Sequence, residues 1–192
     1  MMQAEIRGDK IILRAYEESF APLLFEAATE ASAEKDFVRW MPWCHAGYTI
    51  EESRDFVEKT AANWQQKNDP WEHEMQFGYA IFDAETGIFL GGTGLNQPNS
   101  NHKFFNLGYW IRPSAQNRGI ASEATRVLSR AAFEDLAELN RIEILAAAGN
   151  IPSRKTAEKA GAKFEGILRN RLTISGISHD AALFSFVRQD FV

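Results

Sequence analysis

Hydrophobic and polar positions along this chain follow two periods, and the changes between them mark out its elements. Residues 10–16 (Lys-Ile-Ile-Leu-Arg-Ala-Tyr) form a short apolar run that predicts a first strand. Ser19 can cap a helix over 20–29 whose inward positions are Phe20, Leu23, Leu24, Ala27 and Ala28. Residues 37–48 gather Phe37, Trp40 and Trp43 around Pro42 with no clean period, which predicts an irregular segment that still buries apolar area. Thr49 and Glu52 have the spacing of a capping box. The helix that follows sets Phe56, Val57, Thr60, Ala61 and Trp64 on one side and ends near 68–70. Strand patterns return at 75–82 and 88–95, joined as a hairpin by 83–87, with a polar loop over 96–103.

The second half alternates the two periods. A strand at 105–112 ends at Pro113, which has no N–H for a ladder bond. A helix follows to about residue 139, with Ile120, Ala124, Val127, Leu128 and Ala131 on one face. A strand at 141–148, a short helix at 153–160 closed by Gly161, and strands at 162–174 and 179–187 about a Ser175-Gly176 turn complete the chain. One helix joins the strands at 105 and 141, which implies a parallel crossover pair, whereas the earlier strands are hairpin-linked and antiparallel. The order predicts an α/β (α+β) fold with a mixed, mostly antiparallel seven-stranded sheet, and residues 1–192 as a single domain without internal repeats.

Composition narrows the function classes. The 192 residues suffice for one real core. The formal net charge is −5 with no basic block, which argues against a broad nucleic-acid or anionic-membrane surface but not against a local pocket for one phosphorylated ligand. Cys44 is the only cysteine, so an intramolecular disulfide and a Cys-rich zinc site are excluded, and no metal is expected. The first ten residues lack the apolar core of a signal peptide, and no run approaches a membrane span; a cytoplasmic protein is expected.

The chemistry concentrates at the junction after the 105–112 strand. Gln116-Asn117-Arg118-Gly119-Ile120-Ala121 sits at a helix N-terminus, where unpaired N–H groups and the positive dipole end converge. Gly119 admits close approach of a ligand and Arg118 adds charge, so the turn is either an anion site, for phosphate above all, or an ordinary strand-to-helix turn with a glycine. No P-loop occurs, and Gly91-Gly92-Thr93-Gly94 lies inside a strand-like run rather than opening a helix.

In this context the turn resembles the acetyl-CoA motif Q/R-x-x-G-x-G/A of the GNAT (GCN5-related N-acetyltransferase) family, with every fixed position met. Gly108-Tyr109-Trp110 before it, Ser122-Glu123-Ala124 after it, Asn150-x-x-Ser153, Gly161-x-x-x-Glu165-Gly166, and Gly176 with Asp180 resemble the RimJ/RimL-like subgroup of ribosomal-protein N-acetyltransferases and their relatives. The resemblance covers nearly the whole chain. It implies helices on both sheet faces and a splayed parallel strand pair, with acetyl-CoA as co-substrate. Backbone N–H groups of Gln116, Asn117, Arg118, Gly119, Ile120 and Ala121 would hold the diphosphate, and Asn150 would meet the pantetheine arm or simply cap its helix. A homodimer is a family-level expectation only.

The reaction so implied is direct attack of a neutral primary amine, of a protein N-terminus or a small molecule, on the thioester. It needs a base or water chain, an oxyanion donor and an acid for the leaving thiolate. The resemblance gives the backbone N–H of Ile111 as oxyanion donor and Ser153 as thiolate donor, the latter against a plain first-turn helix role. The base is not evident. Many members carry Glu where this chain has Asn106, and some near the position of Leu172. A water relay, or one of His45, His73, Glu72, Glu74, His179 and Asp180, is left to serve. Trp40, Trp43, His179 and Asp180 are the candidates for the acceptor side, with core packing as the alternative for the two Trp residues. A different class of function, a catalytically weak acyl-CoA-binding sensor or scaffold, is motivated by the absent Glu; a nucleotide-binding module is disfavoured by the absent P-loop.

Overall fold

The structure is a computed structural model that describes residues 1–65, 70–71 and 75–191. One mixed sheet carries it, in the order β1-β2-β3-β4-β5-β6-β8-β7. Its strands are β1 (Glu5–Arg7), β2 (Ile11–Ala15), β3 (Phe77–Asp83), β4 (Phe89–Asn99), β5 (Phe104–Ile111), β6 (Arg141–Ala147), β7 (Lys163–Ile174) and β8 (Ile177–Val187). The helices are α1 (Ala21–Ser32), α2 (Lys35–Trp40), α3 (Ile50–Gln65), α4 (Ile120–Asp135) and α5 (Ile151–Ala160). Every strand pair is antiparallel except β5–β6.

The strand pleat sorts side chains between two packed faces. On one face, Leu13, Tyr79, Ile81, Leu95, Phe105, Leu107 and Ile142 pack against Ala124, Leu128, Ala131 and Ala132 of α4 and Ala157 and Ala160 of α5. On the other, Tyr16, Ala80, Phe82 and Phe89 pack against Leu24 and Ala27 of α1 and Val57 of α3. The capping box forms as predicted. Glu52 Oε2 accepts from Thr49 N–H at 2.8 Å, and Thr49 Oγ1 accepts from Glu52 N–H at 3.3 Å. Of the end predicted for this helix only Pro70, a turn residue, is described, and the candidates Glu72, His73 and Glu74 fall outside the described residues.

Several boundaries differ for physical reasons. The sheet has eight strands rather than seven, because β1 pairs with β2 from Glu5↔Arg14 to Arg7↔Ile12. Only Ile6 of that short polar segment turns inward, which is too little alternation to read. Leu23 is exposed, since α1 turns Leu24, Ala27, Ala28 and Ala31 inward instead. Ser19 does not cap α1; its hydroxyl donates to Glu17 in the 3-10 turn that precedes the helix. The start of the irregular aromatic segment belongs to the short helix α2, and part of the predicted polar loop belongs to β4, which reaches Asn99.

Candidate active site

The two parallel strands stay together briefly. β5 and β6 pair at Phe104↔Arg141, Phe105↔Ile142 and Asn106↔Glu143. Beyond that point β5 follows β4 to Ile111, while β6 follows β8 to Ala147. A gap therefore opens at their C-terminal ends. Ladder parity fixes which backbone groups face it. Arg112 N–H donates to Leu90 O at 2.9 Å, and the register then bonds Trp110 to Gly92 and Gly108 to Gly94. Leu107, Tyr109 and Ile111 accordingly turn their N–H and C=O groups away from β4, toward the gap. Ile111 O accepts there from Gln116 Nε2 at 3.0 Å.

The turn leading to α4 closes one end of this gap. Its conformation depends on Gly119, the helix N-cap, at φ 81°. A Cβ added at Gly119 would meet nothing within 4 Å, so the space above the turn is open. No side chain caps α4, and its first backbone N–H groups stay available for a ligand. These features fit a diphosphate. Arg118, more than half exposed, reaches Asp83 Oδ2 at 3.3 Å. Beneath the turn, Arg112 Nε donates to Glu30 Oε2 at 2.7 Å and its Nη2 to Glu26 Oε1 at 2.8 Å, while Ser114 N–H donates to Glu30 Oε1. Burial works against ionisation of Glu30, but the Ser114 N–H and the Arg112 guanidinium outweigh it and hold the carboxyl below its usual range.

Across the gap, Asn150 caps α5, its Oδ1 accepting from Ser153 N–H at 3.2 Å. Tyr109 Oη lies 2.8 Å from Ser153 O and 3.2 Å from Ser153 Oγ. The carbonyl can only accept, so the Tyr109 proton goes to it and the second contact is Ser153 donating to Tyr109. Burial pushes Tyr109 up to about 12, which keeps the phenol neutral. Sequence reasoning missed this Tyr–Ser pair, because the residues are 44 apart and only the β5–α5 packing joins them.

On the α1–α3 side, β5 also borders a cavity of about 640 Å³. Gly108, Tyr109 and Trp110 of β5 form its inner wall; Trp43, Tyr48 and Phe56 form its outer one. Ring contacts join these aromatics: Trp43–Trp110 at 5.2 Å and Trp43–Tyr48 at 5.9 Å. Glycine makes room for the rings at the floor, where a Cβ on Gly92 would come within 2.6 Å of Trp110 Nε1 and 2.8 Å of Tyr16 Oη. At the mouth, His45 Nε2 lies 3.0 Å from Glu52 Oε1 and His45 Nδ1 lies 3.2 Å from Ala46 O. Both partners accept, so the ring is an imidazolium when both bonds form. The Ala46 carbonyl and Glu52 together raise its pKa. The Thr49 N–H, with His45, lowers that of Glu52. As placed, neither is a useful base.

The remaining candidates divide. Trp43 lines the cavity. Trp40 instead packs on His179 at 5.8 Å and against Gly149, at the β6 side of the gap. Asp180 Oδ1 accepts from Asn170 N–H at 2.8 Å within the β7–β8 hairpin. Trp40, His179 and Asp180 are not among the described residues that line the cavity. Asn106 Nδ2 donates to Asn96 Oδ1 at 3.0 Å, and its own buried Oδ1 has no partner among the described residues. Leu172 pairs with His179 across the hairpin. Burial pushes the Cys44 thiol up to about 11, and its sulfur contacts Ala28 O, a structural arrangement. Among the described residues no cluster of His, Cys, Asp and Glu could hold a metal, and no helix is long and apolar enough to cross a membrane.

Residues 10–163 match the acetyltransferase (GNAT) domain family. The chain belongs to this family. It is an acetyltransferase, and the opened β5–β6 pair with its turn at α4 is where the family resemblance of the sequence falls. Relatives agree. YjcK of Bacillus subtilis (strain 168), named a probable N-acetyltransferase, is 28% identical over 96% of this chain and 98% of its own length. YdaF of the same organism, provisionally named a ribosomal N-acetyltransferase, is 35% identical over 55% of this chain, a match that spans only 57% of YdaF. Among solved structures, RimL, a ribosomal L7/L12 α-N-protein acetyltransferase in complex with coenzyme A, superposes with a TM-score of 0.80 at 22% identity, covering 98% of this chain and 99% of RimL. The microcin C7 self-immunity acetyltransferase MccE, in complex with acetyl-CoA and AMP, also gives 0.80, at 23% identity over 94% and 93% of the two chains. At these identities the two structures establish the shared fold.

Proposed function

We propose that this GNAT protein transfers the acetyl group of acetyl-CoA to a primary amine by direct attack. The observation that carries the reading is the parting of β5 from β6 after Asn106, with the Ile111 N–H turned into the gap and an open helix N-terminus at its end. Bound acetyl-CoA supplies the thioester that is attacked. The N–H groups of the 116–121 turn hold its diphosphate, with Arg118 exchanging Asp83 for phosphate, and the edge of β5 and Asn150 face the pantetheine arm. Ile111 N–H stabilises the developing oxyanion. Ser153, held against Tyr109, rotates to give its proton to the departing thiolate and regains one from solvent. The amine's proton leaves by a water relay, because among the described residues Asn106 and Leu172 accept no proton and both His45 and Glu52 are already engaged. The absence of Glu at Asn106 and Leu172 is the one observation that favours binding without efficient turnover, and an amine panel separates the two.

The direct test is a thermal melt with acetyl-CoA or ATP. At ligand near 100 times Kd, linkage gives about 2.7 kcal/mol of stabilisation, or roughly 5–10 °C for a chain of this size. A shift with acetyl-CoA and none with ATP is expected. Gly119→Asp should fold, because its Cβ enters open space and Asp tolerates the left-handed region. It should abolish the shift by placing a negative charge where a diphosphate binds; an undiminished shift in that variant would remove the turn from the site.

A further inference from the structure

The cavity that β5 borders has a chemistry that selects among amines. Its walls are aromatic and unusually open: Phe56 is 46% exposed and Trp43 37%, although both are large apolar side chains. Large apolar rings left this exposed on a cavity wall are a recognition surface rather than core packing. Among the described lining residues Glu52 carries the only negative charge, and it is matched by the His45 imidazolium and two bonds from Thr49. A cation deep in this cavity would find ring faces but no free carboxylate among the described lining residues. The inner wall, Gly108 to Trp110, is the stretch of β5 that borders the gap, so an amine held here lies beside the proposed site of transfer.

Resting on the acetyl-transfer reading, we infer that the acceptor is a monoamine with an aromatic or bulky apolar group beside the amine, and not a polyamine or aminoglycoside. The group packs on the outer wall, on Phe56 and Trp43, and the amine nitrogen points to β5. A monoamine loses its single charge before reacting. Its nitrogen then forms the new C–N bond as the C–S bond breaks, and the amine's proton is lost while the thiolate gains one. A polycation would keep its other charges where the described lining offers no unpaired carboxylate, a cost that grows with each charge.

Quenching of intrinsic tryptophan fluorescence tests this without turnover, because Trp43 and Trp110 line the cavity. Phenylalaninamide, alaninamide and spermidine are titrated into the protein with coenzyme A present. Phenylalaninamide should bind at least about tenfold more tightly than alaninamide, the scale of burying one aromatic side chain, and spermidine should not saturate. Phe56→Ala should erase that advantage and leave alaninamide unchanged. Spermidine binding as tightly as phenylalaninamide, or no difference between the two amides, would overturn the inference. The kcat/KM values for the same three amines should follow the same order. An absent acetyl-CoA melt shift would instead overturn the transfer reading, and the fluorescence comparison would still decide what the cavity holds.

Discussion

Ser153 and Tyr109 show how much one contact alters the reading of a residue. In the sequence, Ser153 is a first-turn helix serine near Asn150; in the fold its hydroxyl leans on a buried phenol. Ser153→Ala should lower kcat about a hundredfold if the hydroxyl is the thiolate donor, the usual scale for loss of a general acid, while acetyl-CoA affinity stays within about twofold. Tyr109→Phe removes a neutral hydrogen bond and should cost about fivefold in the same assay. A Ser153→Ala enzyme with full activity would return Ser153 to a capping role. His45 and Glu52 invite a pH experiment. His45 is raised, so its contribution to stability is complete below the ordinary histidine value and is lost as pH rises through the raised one. Glu52 is lowered, so its contribution is complete above the ordinary carboxylate value and is lost as pH falls through the lowered one. The Tm difference between the wild type and His45→Asn should therefore be flat between about pH 4.5 and 6.5 and shrink on the alkaline side. A difference that grows with pH would mean the imidazole is neutral in the fold.

At the scale of elements, the α4 turn is held from below by a partner far away in sequence. Glu30 on α1 joins Arg112 and Ser114, which flank the end of β5, and the Arg112 side chain is only 13% exposed. Glu30→Gln keeps the shape but weakens charged hydrogen bonds, worth about 2 kcal/mol, and should lower Tm by about 5 °C. Because the same turn is proposed to hold the diphosphate, calorimetry should also find acetyl-CoA binding several-fold weaker in this variant. A lower Tm with unchanged affinity would make the pair purely structural. Helix periodicity had predicted the inward face of α4 well: Ile120, Ala124, Leu128 and Ala131 are all buried, with Val127 packed beside them. It failed at Leu23, because whether a position at the edge of an apolar stripe is covered depends on the neighbouring element. The aromatic segment before α3 had no period to read, and its place beside Trp110 and His179 comes from contacts across the sheet.

Across the whole molecule, the sheet is firm where both faces are covered and open where the strands part. Hydrogen exchange should be slowest in β3 and β4, which lie between paired neighbours and under both helix layers, and faster in β7, an edge strand whose residues are mostly exposed. Acetyl-CoA should add protection at Leu107–Ile111 of β5 and at the 116–121 turn; protection confined to other strands would move the site. The sequence by itself determined the order of elements, β1 and α2 apart, the parallel crossover and the glycine-bearing turn before α4, because these rest on local periodicity and on proline and glycine geometry. It also carried the family resemblance that the GNAT domain match bears out. Only the tertiary structure decided that β5 leaves β6 after Asn106, that Ser153 meets Tyr109, and that Phe56, Trp43 and Trp110 wall one cavity while Trp40, His179 and Asp180 lie elsewhere. Those relations join residues far apart in the chain, and they are set by sheet register and by packing between layers, which no local pattern encodes.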